Sequence, residues 1–143
     1  MIGFNIISKH IELSSKGEND IIDITSDVKR ILFTSKLKDG IVTLFVMGST
    51  ASITTIEYEP GLKKDFPRML ERVASKDIEY EHDNTWQDGN GHSHVRASLV
   101  GPSLTIPFHG SDLCLGTWQQ IVILEMDIRP RNRKVMVQII GIY

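Results

Sequence analysis

Residues 116–143, GTWQQIVILEMDIRPRNRKVMVQIIGIY, decide the fold. Two apolar runs rich in β-branched residues, IVILEMDI and RKVMVQIIGIY, flank RPRNR, a polar break that carries a proline. Strand, turn, strand is the reading, and it sets the pattern for the rest. Upstream, KDG at 38–40 is a turn into IVTLFVM (41–47), a strongly apolar strand, and GSTASITTIEYE continues as extended chain. SLTIPF (103–108) adds another strand, and residues 2–13 read as one strand or two short ones. Strands that fall in neighbouring pairs imply antiparallel pairing rather than the βαβ alternation of a doubly wound sheet.

Helices fill the gaps. NDIIDITSDVKRILFTS sets Ile21, Ile24, Val28 and Ile31/Leu32 at helical spacing. PGLKKDFPRMLERVAS carries a stripe of Leu62, Phe66, Leu70 and Val73, but Pro67 lacks an N–H and crowds the carbonyl four residues back. The segment is therefore expected to divide into a turn at 61–64 and a helix capped by Asp65, with Pro67 in its first turn. Residues 75–93 read as a long polar loop, and VRASLVG as a helix ending at Gly101 before Pro102. The expectation is one domain over residues 1–143, of α+β class: a mainly antiparallel, jelly-roll-like β-sandwich with two or three helices.

A chain of 143 residues buries a core without staples. A net charge of −2 and a pI near 6.2 supply no basic face for nucleic acid or a membrane surface. Its apolar runs have strand length, and the start MIGFNIISKHIELSS lacks the zones of a signal peptide. A single cysteine, Cys114, excludes an internal disulfide and reads as small core filling. These features place the protein in the cytoplasm.

Chemistry gathers around GNGHSH, residues 89–94. His92 and His94 share one side of the chain only if it is extended, because two residues turn a helix by about 200°. Two imidazoles in a Gly/Asn/Ser loop are more often solvated than metal-bound. A helix starting beside them would offer free N–H groups and a positive dipole end to an anion. Ser98 would then lie one turn above His94, and Arg96 would be available to a phosphate or carboxylate. His109 follows SLTIPF at a strand end. In GSTASITT, alternation puts Thr50, Ser52 and Thr54 on one side, as suits phosphate recognition, although Thr is also a good strand residue. Glu125 sits among Ile, Leu and Met, where a carboxylate is paired, metal-bound or solvent-facing. His10 and His82 read as surface or structural residues.

Taken together, GSTASITTIEYEPGLKKD, GNGHSHVRASLVGPSLTIPFHG and LGTWQQIVILEMD resemble the YjbQ-like family of small proteins, commonly labelled secondary thiamine-phosphate synthase enzymes. The likeness runs in order from around Asn5 to the C-terminus. It implies an α+β homotrimer with a polar site near the subunit boundary. By motif, His94 and His109 match the family's histidines, Arg96 its basic position, and His92 a histidine found in only some members. Thr50 and Ser52 match the hydroxyl cluster, Glu57 the acidic residue before the turn, and Gln119 the Q of T-W-Q. Many members carry His where this chain has Gly48. The implied reaction couples hydroxymethylpyrimidine diphosphate to thiazole phosphate and releases pyrophosphate.

Three readings follow. The first is an enzyme acting on a small phosphorylated substrate. His94, His109, Arg96 and Glu57 are its catalytic set, and Thr50, Ser52, Ser98 and Gln119 are its substrate contacts. A divalent ion (zinc, iron or magnesium) would bridge diphosphate oxygens. The second is a metal-dependent hydrolase with His92, His94 and His109 as ligands and a water position left open. The third is a trimeric anion-binding protein without turnover.

Overall fold

The structure, a computed structural model, describes residues 3–143. Its elements run β1 (Asn5–Ser14), β2 (Ile21–Asp23), α1 (Thr25–Ser35), β3 (Asp39–Met47), β4 (Ala51–Ile56), α2 (Pro60–Val73), α3 (Glu81–Trp86), α4 (Gly91–Val100), β5 (Ser103–His109), β6 (Asp112–Leu113), β7 (Gln120–Glu125) and β8 (Asn132–Ile142). They form two sheets, β1-β8-β3-β5-β6 and β2-β7-β4, and every ladder is antiparallel. The class is α+β in a single domain, with four helices among the described residues where two or three were expected. No helix of these residues is long and apolar enough to cross a membrane.

Alternation along the strands explains the layering. Val42, Leu44 and Val46 of β3 and Val135, Val137 and Ile139 of β8 point inward, where they meet Ala51, Ile53, Ile121 and Ile123 of the smaller sheet and Val28 and Leu32 of α1. Each such aliphatic side chain contributes about 2 kcal/mol on burial. The opposite face of the small sheet, Val122 and Leu124, is covered by Leu70 of α2 and Ala97 of α4. Of these two helices, α4 carries His94 of the site.

Several expectations are corrected. β7 and β8 do not pair with each other; RPRNR carries the chain from one sheet to the other. Ile21 belongs to a strand, and the helix starts only after Asp23, whose Oδ1 accepts from the Thr25 N–H (2.9 Å) and hydroxyl (2.6 Å). The segment with Pro67 is one helix, not a turn and a helix. Glu59 caps it, accepting from Gly61 N (2.8 Å) and Leu62 N (2.5 Å), and Pro60 occupies its first position. Pro67 leaves the Lys63 carbonyl without an N–H, but Lys63 is exposed, so water can take that place.

The presumed loop 75–93 contains α3, and α4 begins at Gly91, so His92 and His94 are helical. Gly91 is required there: a Cβ would lie 2.5 Å from Tyr80 Cβ. With that room, Asp83 of α3 accepts from Gly91 N (2.8 Å) and seats α3 against the start of α4.

Candidate functional site

Docking of α3 on α4 brings His82 to His94, with ring centroids 4.2 Å apart and planes tilted by 50°. His82 Nε2 lies 3.4 Å from Asp88 Oδ1. The Asn90 amide bridges the turn: with its nitrogen facing them, it donates to Asp88 (3.0 Å) and His82 Nε2 (3.1 Å). Burial, then the neighbouring His82, holds the His94 pKa below its ordinary value against the pull of Asp88, Asp127 and Asp83. His94 is therefore a neutral imidazole at pH 7, able to accept a proton.

Beside the imidazoles lies a buried ionic chain from β4 and the β7–β8 connection. Thr50 Oγ1 donates to Asp127 Oδ2 (3.0 Å), and Arg131 Nε donates to the same oxygen (2.9 Å). Burial works to raise the Asp127 pKa, but the bonds from Thr50 and Arg131 outweigh it and keep the carboxylate ionised. Its Oδ1 has no partner although Asp127 is fully buried. A buried carboxylate oxygen without a donor is costly, and it marks where a ligand's N–H, O–H or a water belongs. Deeper in, Glu125 takes Ser15 Oγ at 2.5 Å and is held through both oxygens by Arg133, whose Nη2 also donates to Thr50 Oγ1 (2.8 Å).

The expected site residues fall into separate places. His92 is two residues from His94 on a helix and points to the other side, where its Nε2 meets Glu18 Oε1 at 2.9 Å. Arg96, four residues on, shares that face and is 2% exposed. Its nitrogens are spent on Ala74 O (2.9 Å), Glu18 (3.3 Å) and Glu71 (2.5 Å). Rather than a free anion binder, it is a clamp tying α4 to α2 and the 15–20 loop. The bond from Ser75, helped by Lys76 N and Arg96, lowers the Glu71 pKa despite burial acting the other way.

His109 is exposed at the end of β5, with Nδ1 2.5 Å from Asp39 Oδ1 at the start of β3. Thr50 lies beyond the opposite end of β3, so about 26 Å of strand separates His109 from the His94 cleft. Within one protomer, His92, His94 and His109 cannot hold one ion, and no three described His, Cys, Asp or Glu residues are arranged to do so. Glu57 is exposed past the far end of β4, and Cys114, expected in the core, is exposed as well. Gln119 binds Thr55 Oγ1 (3.0 Å) and Gly116 N (3.0 Å), bracing the turn that presents Trp118. The Ser98 hydroxyl is spent on the His94 carbonyl (2.8 Å). Thr50 lies in the cleft; Ser52, fully buried two residues on, leaves its hydroxyl unpartnered. His82, set aside in the sequence, is in the site. So are Asp88, Asn90, Asp127, Arg131 and Arg133, and the only sequence signal for the last three is their spacing across DIRPRNR.

Residues 9–142 match the model of the family described as UPF0047 protein YjbQ-like. A UPF0047 protein of Methanothermobacter thermautotrophicus is 37% identical over 136 residues, covering 95% of this chain and 93% of that one. UPF0047 protein YugU of Bacillus subtilis is 30% identical, covering 93% and 98%. Among solved structures, a protein of unknown function from Sulfolobus solfataricus superposes with a TM-score of 0.90 at 30% identity, covering 97% and 99%. An uncharacterised conserved protein from Clostridium acetobutylicum gives 0.79 at 39%, covering 90% and 98%.

Proposed function

The chain belongs to the YjbQ-like UPF0047 family, and we propose that it is a cytoplasmic acid–base enzyme for phosphorylated or diphosphorylated small molecules. Its working pair is His82 and His94. The observation that carries this reading is their 4.2 Å approach. Two imidazoles so close resist double protonation, and burial together with His82 keeps His94 neutral, so that it can accept a proton. Asp88 and Asn90 orient His82, and the buried Asp127 carboxylate favours a proton arriving on His94. Arg131, half-exposed at the rim, meets phosphate oxygens.

The first reaction to assay is the coupling of hydroxymethylpyrimidine diphosphate to thiazole phosphate. There a carbon–nitrogen bond forms as the carbon–oxygen bond to diphosphate breaks, and the pyrophosphate departs with the bonding electron pair, its oxygens accepting from an imidazole N–H of the histidine pair and from Arg131. A divalent ion belongs in this scheme only as part of the diphosphate substrate. His82→Gln and His94→Gln should each cut turnover by roughly 10²–10⁴-fold with the fold intact. Turnover unaltered by both substitutions would overturn the assignment.

Self-association, as the homotrimer that the resemblance implies, is favoured by a separate observation. The outward face of the five-stranded sheet exposes Ile6, Ile41, Phe45 and Met47, with Ile6 and Ile41 flanking Ile140 in register. A contiguous apolar sheet face of this kind is one that subunits bury. Sedimentation of the intact protein tests it.

A further inference from the structure

We infer that Gly48 uncovers an oxyanion subsite on Arg133, placed to take a phosphate or diphosphate group at the inner end of the same cleft. The identity of the substrate rests on the function proposed above; the subsite itself does not. Gly48 follows Met47, which pairs with Lys134, so the ladder sets Gly48 opposite Arg133. It is exposed, and a Cβ there would stand 2.7 Å from Arg133 Nη1, with no atom outside that guanidinium within 4 Å.

Arg133 is held rigidly from below. Its Nε donates to Glu125 Oε1 (2.9 Å), and its Nη2 donates to Glu125 Oε2 and to Thr50 Oγ1. Nη1 makes none of these bonds and faces the bare side of Gly48. A guanidinium pinned through Nε and Nη2 keeps its fork fixed, which lowers the entropy cost of presenting the remaining N–H groups. The side chain is only 7% exposed, so an anion reaching Nη1 meets a charge that water screens weakly.

Neighbouring groups fit this reading. Thr50 joins Arg133 to Asp127, making the subsite continuous with the His94 cleft. Arg131 offers a second guanidinium at the rim, 43% exposed at its side chain. A diphosphate seated on Nη1 would lie between Arg133 and Arg131, with its organic part toward Asp127 and His94.

The test is a titration of the full-length protein with inorganic pyrophosphate. Calorimetry gives the affinity, and the Arg133 Nε–Hε resonance reports on the site. Wild type should bind and shift that resonance. Gly48→Ala, which sets a methyl group against Nη1, should bind about tenfold more weakly, as the loss of one charge-assisted bond predicts. Arg133→Lys, which keeps a cation for Glu125 but lacks Nη1, should do the same and serves if Gly48→Ala fails to fold. No binding by wild type, or wild-type affinity in either folded variant, overturns the subsite. Pyrophosphate binding by wild type that weakens in Gly48→Ala or Arg133→Lys, with no turnover of the assayed substrates by wild type, separates failure of the proposed reaction from failure of this inference.

Discussion

Arg133 grips Glu125 through two nitrogens at the bottom of the cleft, with exposures of 7% and 0%. Removing one partner strands the other's charge away from water. Glu125→Ala should lose about 3–5 kcal/mol of stability in urea unfolding. The double change Glu125→Leu with Arg133→Met should lose less than the single one. A single substitution costing under about 1 kcal/mol would show that water reaches the pair.

Arg96 is assigned to the fold rather than the chemistry. Arg96→Ala frees Glu18 and Glu71 and unties α2 from α4, and it should cost about 3 kcal/mol. Arg96→Lys should recover part of this at most, since three acceptors diverge around one planar fork. Weaker pyrophosphate affinity in Arg96→Ala at undiminished stability would return Arg96 to the ligand.

The depressed pKa of His94 makes stability depend on pH. The unfolded imidazole, with an ordinary value of about 6.5, takes its proton first as pH falls. Stability from this group is therefore complete above that value and is lost as pH drops through the lower folded pKa. His82→Gln removes the like charge that adds to burial and should raise the His94 pKa. Imidazole titration by NMR in wild type and variant is the check, and an unmoved midpoint would mean that burial acts alone.

Gly91 holds the histidines together at one remove. Gly91→Ala drives a methyl group into Tyr80, where 2.5 Å is available, and must push α3 outward. We expect a loss of about 1–3 kcal/mol. The His94 pKa should also return toward its ordinary value as His82 moves away, read by the same titration.

Phe45 projects from the outer face of the five-stranded sheet, 45% exposed and opposite Met136. Phe45→Glu should dissociate the proposed trimer in sedimentation while leaving the circular dichroism unchanged. If the wild-type protein sediments as a monomer, that face has another use.

Alternation made the core legible. Val42, Leu44 and Val46 fall on every second position of an apolar run, and the structure buries all three. Leu70 was legible too, from its helical stripe. The helix across Pro67 was not, because its tolerance depends on Lys63 facing water, which the local pattern does not encode. Nor was α4's early start: GNGHSH has turn composition, and it became helical because Asp83 receives Gly91 N and Tyr80 packs where Gly91 leaves space.

By itself, the order of residues determined an antiparallel α+β domain, its strands, and a family resemblance strong enough to name. These are local properties, written in periodicity and in contiguous motifs. Which imidazoles meet was decided only in three dimensions. His94 and His109 lie in motifs that follow each other within one stretch of chain, yet β5 runs its whole length between them and carries His109 to the far end of the sheet. His82, dismissed within a polar segment, arrives against His94 because a glycine lets two helices close. Sheet register and helix docking set those distances, through steric fit among residues far apart in the chain, and no spacing along the sequence carries that information.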